Sequence, residues 1–127
     1  MLVCPPEGLS TAAVYRRCRP AVSPLSVRPL LEALQTGNPR DIARGLFNRL
    51  QTTAEELSPW VRKSRRVFEQ LDCLGHRMSG SGTSYFGICR HARQARRMLH
   101  VLKAAGLGRV FYAVTADTSY RLESIAA

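Results

Sequence analysis

The chain has 127 residues, 45% of them apolar, with 19 Lys or Arg against 9 Asp or Glu and a net charge of +10. That length is expected to fold as one domain that buries roughly two-thirds of its unfolded surface without a disulfide or metal staple. No apolar run reaches the ~18 residues of a membrane span, and residues 1–6 lack the basic start and long apolar middle of a signal peptide, so a cytoplasmic protein is expected.

Leu2-Val3-Cys4 is a short apolar run halted by Pro5-Pro6, a strand leaving into a loop. Ser10 or Thr11 can cap a helix running to about Cys18. Two prolines make residues 19–24 irregular. Ser26 caps a helix in which Val27, Leu30, Leu31 and Leu34 recur at i, i+3, i+4 and i+7, the spacing of a core-facing stripe, and Gly37 stands at its left-handed cap. Asn38-Pro39 opens the next helix with a capping side chain and a proline at the first helical position. Asp41 complements the dipole there, and Ile42, Leu46, Phe47 and Leu50 form the apolar stripe. Thr53-x-x-Glu56 has the form of a capping box for a short turn ending near Ser58-Pro59. Trp60 to Leu74 is a further helix, apolar along Val61, Val67, Phe68, Leu71 and Leu74, basic on its other side and ended by Gly75.

Residues 75–78 can be extended, and the run Met78-Ser79-Gly80-Ser81-Gly82-Thr83-Ser84-Tyr85-Phe86-Gly87 follows. Its second half alternates as a strand, with Ser84, Phe86 and Ile88 on one side and Tyr85, Gly87 and Cys89 on the other. A helix from His91 to about Ala105 carries Ala92, Ala95, Met98, Leu99, Leu102 and Ala105 toward the core, and Gly106 and Gly108 stop it. Val110 to Thr115, β-branched and aromatic, is the final strand. This order predicts an α+β fold: a four-stranded antiparallel sheet with helices packed on one face, a ferredoxin-like split β-α-β with extra helices in the first crossover.

The glycine run is the one segment whose composition suits chemistry. Ser79, Gly80, Ser81, Gly82 and Thr83 alternate small and hydroxyl residues. Glycine lets consecutive N–H groups converge into an anion-binding nest that a ligand can approach closely, and the hydroxyls of Ser81 and Thr83 can add donors. No Gly-Lys-Ser/Thr ending follows, so it is not a P-loop. A strand rather than a helix follows it, so it is not a dinucleotide fingerprint. A plain hairpin connection needing glycine is the alternative.

The positive charge, mostly arginine, suits an anionic partner, although the arginines are spread over three helices, where a solvated face is the commoner explanation. Cys4, Cys18, Cys73 and Cys89 form no C-x-x-C pair and are expected as reduced, packed thiols. His76, His91 and His100 are poorly spaced as joint ligands, so no metal site is expected. A basic RNA-binding or regulatory ligand-binding module of the same topology is the rival reading. The strand 82–89 lacks the basic residue and spaced aromatics that base stacking requires.

Taken together, these segments resemble the C-terminal domain of the GHMP kinases. The run 78–87 is similar to that family's third, glycine-rich motif. Within the family, the likeness is strongest to the members that phosphorylate 4-diphosphocytidyl-2-C-methyl-D-erythritol in the non-mevalonate route to isoprenoids. Residues 3–15, with Gly8-Leu9-Ser10-Thr11 and Val14-Tyr15, resemble their strand, proline loop and helix start. Leu46-Phe47-Asn48-Arg49-Leu50 resembles their "NDL" helix with Arg49 in place of an acidic residue, and Leu57-Ser58-Pro59-Trp60-Val61 resembles the segment that follows. The resemblance implies that residues 1–127 are one C-terminal domain whose N-terminal kinase domain, its partner in cis, carries the catalytic residues. None is therefore assigned here, and the fragment alone is expected to be inactive. It implies ATP as co-substrate, with Mg2+ in the full enzyme, a phosphorylated small-molecule substrate, and no nucleic-acid or membrane partner. Ser79, Gly80, Ser81, Gly82 and Thr83 would bind phosphate groups at the junction of the two domains.

Overall fold

A computed structural model of the chain describes residues 1–114 and the short strand at 122–123. The elements run β1 (Leu2–Cys4), α1 (Thr11–Arg17), α2 (Arg28–Thr36), α3 (Pro39–Arg44), α4 (Leu50–Leu57), α5 (Pro59–Glu69), β2 (Gly75–Met78), β3 (Tyr85–Ile88), α6 (Ala92–Ala104), β4 (Arg109–Ala113) and β5 (Leu122–Glu123). The first four strands lie in the order β2-β3-β1-β4, all antiparallel, which is the expected split β-α-β sheet, and β5 adds a fifth strand beside β4. The strand expected over 110–115 is β4 and ends at Ala113; the expected position Thr115 lies outside the described residues.

Register decides what each face buries. Met78 stands opposite Tyr85, Val3 opposite Tyr85 on the other side, and Val3 opposite Val110. All four are buried, and they form one apolar surface with Val14, Ala54, Val61, Phe68 and Leu102 from α1, α4, α5 and α6. Phe68 lies against β3 because residue 87 is glycine: a Cβ there would stand 2.6 Å from the ring. The extra helix α3 takes the other face. Gly75 pairs with Ile88 and Gly87 with His76, so alternation points Gly75 and Gly87 out of opposite sides of the sheet. A Cβ on Gly75 would lie 2.9 Å from the Ala43 methyl of α3.

The helix starts follow the capping chemistry where one residue can supply it. Ser10 accepts from the Ala13 amide, Asn38 from the Arg40 amide and His91 from the Gln94 amide. Gly37 closes α2 at φ 69°. Three expectations change. The helix opened by Asn38-Pro39 stops at Arg44 instead of running to Leu50, because the chain turns at Gly45, where a Cβ would meet Leu30 at 3.0 Å. Thr53 starts no turn; it lies inside α4, whose first free amide, at Leu50, is capped by Asn48 Oδ1 at 2.9 Å. α5 ends at Glu69, five residues before Leu74, so that the chain can enter β2 at Gly75.

The stripe on α2 also differs from expectation. Val27, Leu31 and Leu34 are exposed and only Ala33 is buried, because α2 packs mainly on α3 rather than on the sheet. On α6 the core face is Ala95, Met98, Leu99 and Leu102, with Gln94 buried where Ala92 was expected. The four cysteines are free thiols, each half-buried. Among the described residues, no helix is long and apolar enough to cross a membrane.

Candidate functional site

Residues 79–84 connect β2 to β3, directly above the Met78–Tyr85 pair. The Ser79 amide donates to the Ser84 carbonyl at 2.9 Å and the Gly82 amide to the Ser79 carbonyl at 3.1 Å, which folds the loop back on itself. Gly80 and Gly82 adopt φ 56° and 97°, values that other L residues adopt only with strain. Among the described residues, the amides of Gly80, Ser81 and Thr83 have no internal acceptor. The expected nest is therefore narrower than the whole stretch. The Ser79 and Gly82 amides hold the turn. A Cβ on Gly80 would find nothing within 4 Å, so a ligand can approach there; a Cβ on Gly82 would face inward, 3.1 Å from the Met78 sulfur.

The hydroxyls fasten this loop to the start of α1. Thr83 is buried and its hydroxyl donates to the Glu7 carbonyl at 2.8 Å, which uses its only proton. Ser81 Oγ lies 2.8 Å from Thr11 Oγ1 at the first turn of α1. Ser79 and Gly80 are exposed. The structure thus brings the five expected residues together but gives Thr83 an anchoring bond in place of a free donor.

Asn48, absent from the expected site, is the strongest fastening. Its Nδ2 donates to the Met78 carbonyl at 2.9 Å and to the Gly80 carbonyl at 2.8 Å, while its Oδ1 caps α4. Gln51, one turn further on, accepts from the Met78 amide at 3.0 Å and is buried. A helix start and a hairpin are joined through two amide side chains. An asparagine ahead of an amphipathic helix signals a cap in any sequence; its second role depends on a partner about thirty residues away. Asn48→Ala is expected to lower the stability of the chain by about 1–2 kcal/mol, from the lost cap and the unpaired carbonyls. It is also expected to speed hydrogen exchange at residues 79–83, read by NMR or mass spectrometry. Unchanged exchange there would mean that the loop holds its shape without Asn48.

Below the loop, Tyr85 Oη lies 3.3 Å from Gln51 Nε2, which donates to it, and 3.0 Å from His76 Nδ1. This order lets the tyrosine donate to a neutral imidazole. Burial, helped by the charge of Arg77, holds the His76 pKa below its ordinary 6.5, and burial pushes the Tyr85 phenol up from 10 to about 12. The unfolded chain takes up the histidine proton first on acidification, so this contribution to stability is complete above pH 6.5 and is lost as the pH falls below it. At the other end the unfolded chain releases the phenol proton first, so stability declines as the pH rises from 10 toward about 12. Thermal melts from pH 5 to 11 should show both limbs, with Tyr85→Phe shrinking the alkaline one to the part that the half-buried Cys73 and Cys89 thiols contribute. An unaltered alkaline limb in that variant would show that the phenol is not its source.

Among the described residues, no group of three His, Cys, Asp or Glu side chains could hold a metal ion.

The family model "GHMP kinases C terminal" matches residues 30–107, more than half of the sequence, and the chain belongs to that family. It is 33% identical over 100 residues to the 4-diphosphocytidyl-2-C-methyl-D-erythritol kinase of Pelotomaculum thermopropionicum, covering 77% of this chain and 35% of that protein. It is 40% identical over 109 residues to the kinase of the same name from Saccharopolyspora erythraea, covering 81% and 34%. The crystal structure of a 4-(cytidine 5'-diphospho)-2C-methyl-D-erythritol kinase superposes with a TM-score of 0.67 at 33% identity, covering 85% of this chain and 39% of that one. The chain thus spans about a third of the length of the curated relatives it matches.

Proposed function

We propose that residues 1–127 form the C-terminal lobe of an ATP-dependent kinase that transfers a phosphoryl group to a hydroxyl of 4-diphosphocytidyl-2-C-methyl-D-erythritol, in the non-mevalonate route to isoprenoids. The observation that carries this reading is the loop 79–83. Three of its amides lack internal acceptors among the described residues, Gly80 is open to approach, and the loop is fixed to α1 and α4. Such a loop suits phosphoryl transfer, in which the protein's task is to position anionic groups and stabilise charge rather than to form bonds itself. The names of the relatives supply the substrate class.

In this reading an N-terminal lobe in cis carries the catalytic residues, and the amides of Gly80, Ser81 and Thr83 hold a phosphate of nucleotide or substrate at the seam. Ser81 adds its hydroxyl, and Ser79, Gly82 and the Thr83 side chain keep the turn in shape. ATP is the co-substrate. Mg2+ would be held by its phosphates and by residues of the other lobe, so no residue of this chain is assigned to it. The working location is the cytoplasm, with no nucleic-acid or membrane partner.

The test joins this chain to the N-terminal two-thirds of the Saccharopolyspora erythraea relative. Phosphorylation of 4-diphosphocytidyl-2-C-methyl-D-erythritol is then followed with ATP and Mg2+. Turnover by the joined protein and none by the chain alone is the expected result. A folded, joined protein that phosphorylates another small alcohol but not this one would overturn the substrate; one that binds no nucleotide and phosphorylates nothing would overturn the kinase reading.

A further inference from the structure

The C-terminal end of α1 and the first half of α4 enclose a second cavity of about 470 Å3, lined by Arg17, Arg19, Arg49, Thr52, Thr53 and Glu56 among others. It shares no lining residue with the loop 79–83. Its charge is unbalanced, with three arginines and one glutamate among the residues that line it. Arg28, Arg44, Arg65 and Arg90 each sit within ion-pair distance of an acidic side chain. Arg17, Arg19 and Arg49 have no such partner among the described residues, and Arg49 rests 5.3 Å from the Phe47 ring centre. Arg49 directly precedes α4 and Thr52 and Thr53 lie in its first turn, where the helix dipole adds positive potential. Like charges gathered in one concavity repel, and a bound anion relieves that repulsion.

We propose that this cavity is a binding site for a diphosphate group. Guanidinium groups engage phosphate oxygens through paired N–H donors, and three of them match a ligand with two phosphates better than a single carboxylate or orthophosphate. The threonine hydroxyls supply further donors, and the volume lies in the range that holds a small ligand. Glu56 lies on the lining as the one repulsive group and favours ligands whose charge is concentrated toward the arginines. The site goes beyond the phosphate-transfer reading of the loop and stands or falls separately from it.

The experiment titrates the 127-residue chain with inorganic pyrophosphate by calorimetry and by amide NMR at constant ionic strength. Saturable binding is expected, with shifts at residues 17–19 and 49–53. Arg17→Glu and Arg49→Glu, both at exposed positions, are each expected to weaken it at least tenfold, about the value of one charge-assisted contact. Arg93→Glu makes the same charge change at an exposed position of α6 and is expected to leave the affinity within twofold. Orthophosphate is expected to bind more weakly. Repeating the titration with CDP separates a free diphosphate from a nucleotide: equal affinity assigns the site to the free anion, tighter binding to a nucleoside diphosphate. Equal weakening by Arg93→Glu would reduce the effect to the diffuse field of a basic protein and overturn the site. So would shifts confined to residues 79–83, which would leave the kinase reading intact.

Discussion

Gly80→Val in the joined two-lobe enzyme is expected to lower kcat/KM by about 10²–10³, the usual effect of removing a preorganised donor from a site where charge develops. Two consequences of one side chain combine. Valine disfavours φ 56° by about 1–2 kcal/mol, so the peptide rotates and withdraws the Ser81 amide from its direction. Its methyls also fill the open space beside the loop, where a Cβ meets no protein atom within 4 Å and a phosphate oxygen would have to sit. That same openness protects the fold, so the loss of stability should stay near the backbone term alone. Gly80→Asn, which tolerates positive φ, should recover part of the rate. Gly82→Val should behave differently, because its side chain would push into Met78, Leu9 and Val61 and destabilise the domain as well. Wild-type turnover by Gly80→Val would remove the loop from the proposed site.

The contrast between the two glycines marks how far sequence alone carries. Alternating glycine and hydroxyl residues located the loop, and the residue order gave the four-stranded sheet, since both depend on local chemistry. What each glycine faces was not legible, because that is set by α5 and the leucine of another loop. The same limit explains Asn48, whose grip on Gly80 spans 32 residues. It also explains the helix over 39–44: the 3.6-residue pattern runs on through Leu46, Phe47 and Leu50, yet the chain turns at Gly45 and Phe47 ends up exposed. The α2 stripe shows the converse, an amphipathic pattern whose leucines reach no core.

Phe68→Ala is expected to destabilise the chain by about 3–5 kcal/mol, a large share of the 5–15 kcal/mol that holds a domain of this size. The ring is fully buried, with its centre 5.2 Å from that of Tyr85 and 5.8 Å from that of His76. It fills a hollow that exists only because β3 carries glycine at 87. Truncation leaves that hollow bordered on the β3 side by the bare backbone of Gly87, so it collapses only in part and the cost falls toward the upper end. Gly87→Ala alone is expected to destabilise by about 1–3 kcal/mol, since its methyl would stand 2.6 Å from the ring. In Phe68→Ala/Gly87→Ala the same methyl enters vacated space, so the double variant should lose less than the two single losses added. Urea unfolding of the four proteins measures this, with m unchanged if only the native packing differs. Strict additivity would mean that ring and glycine do not share one packing site, and that the hairpin bearing the loop is not held down by α5.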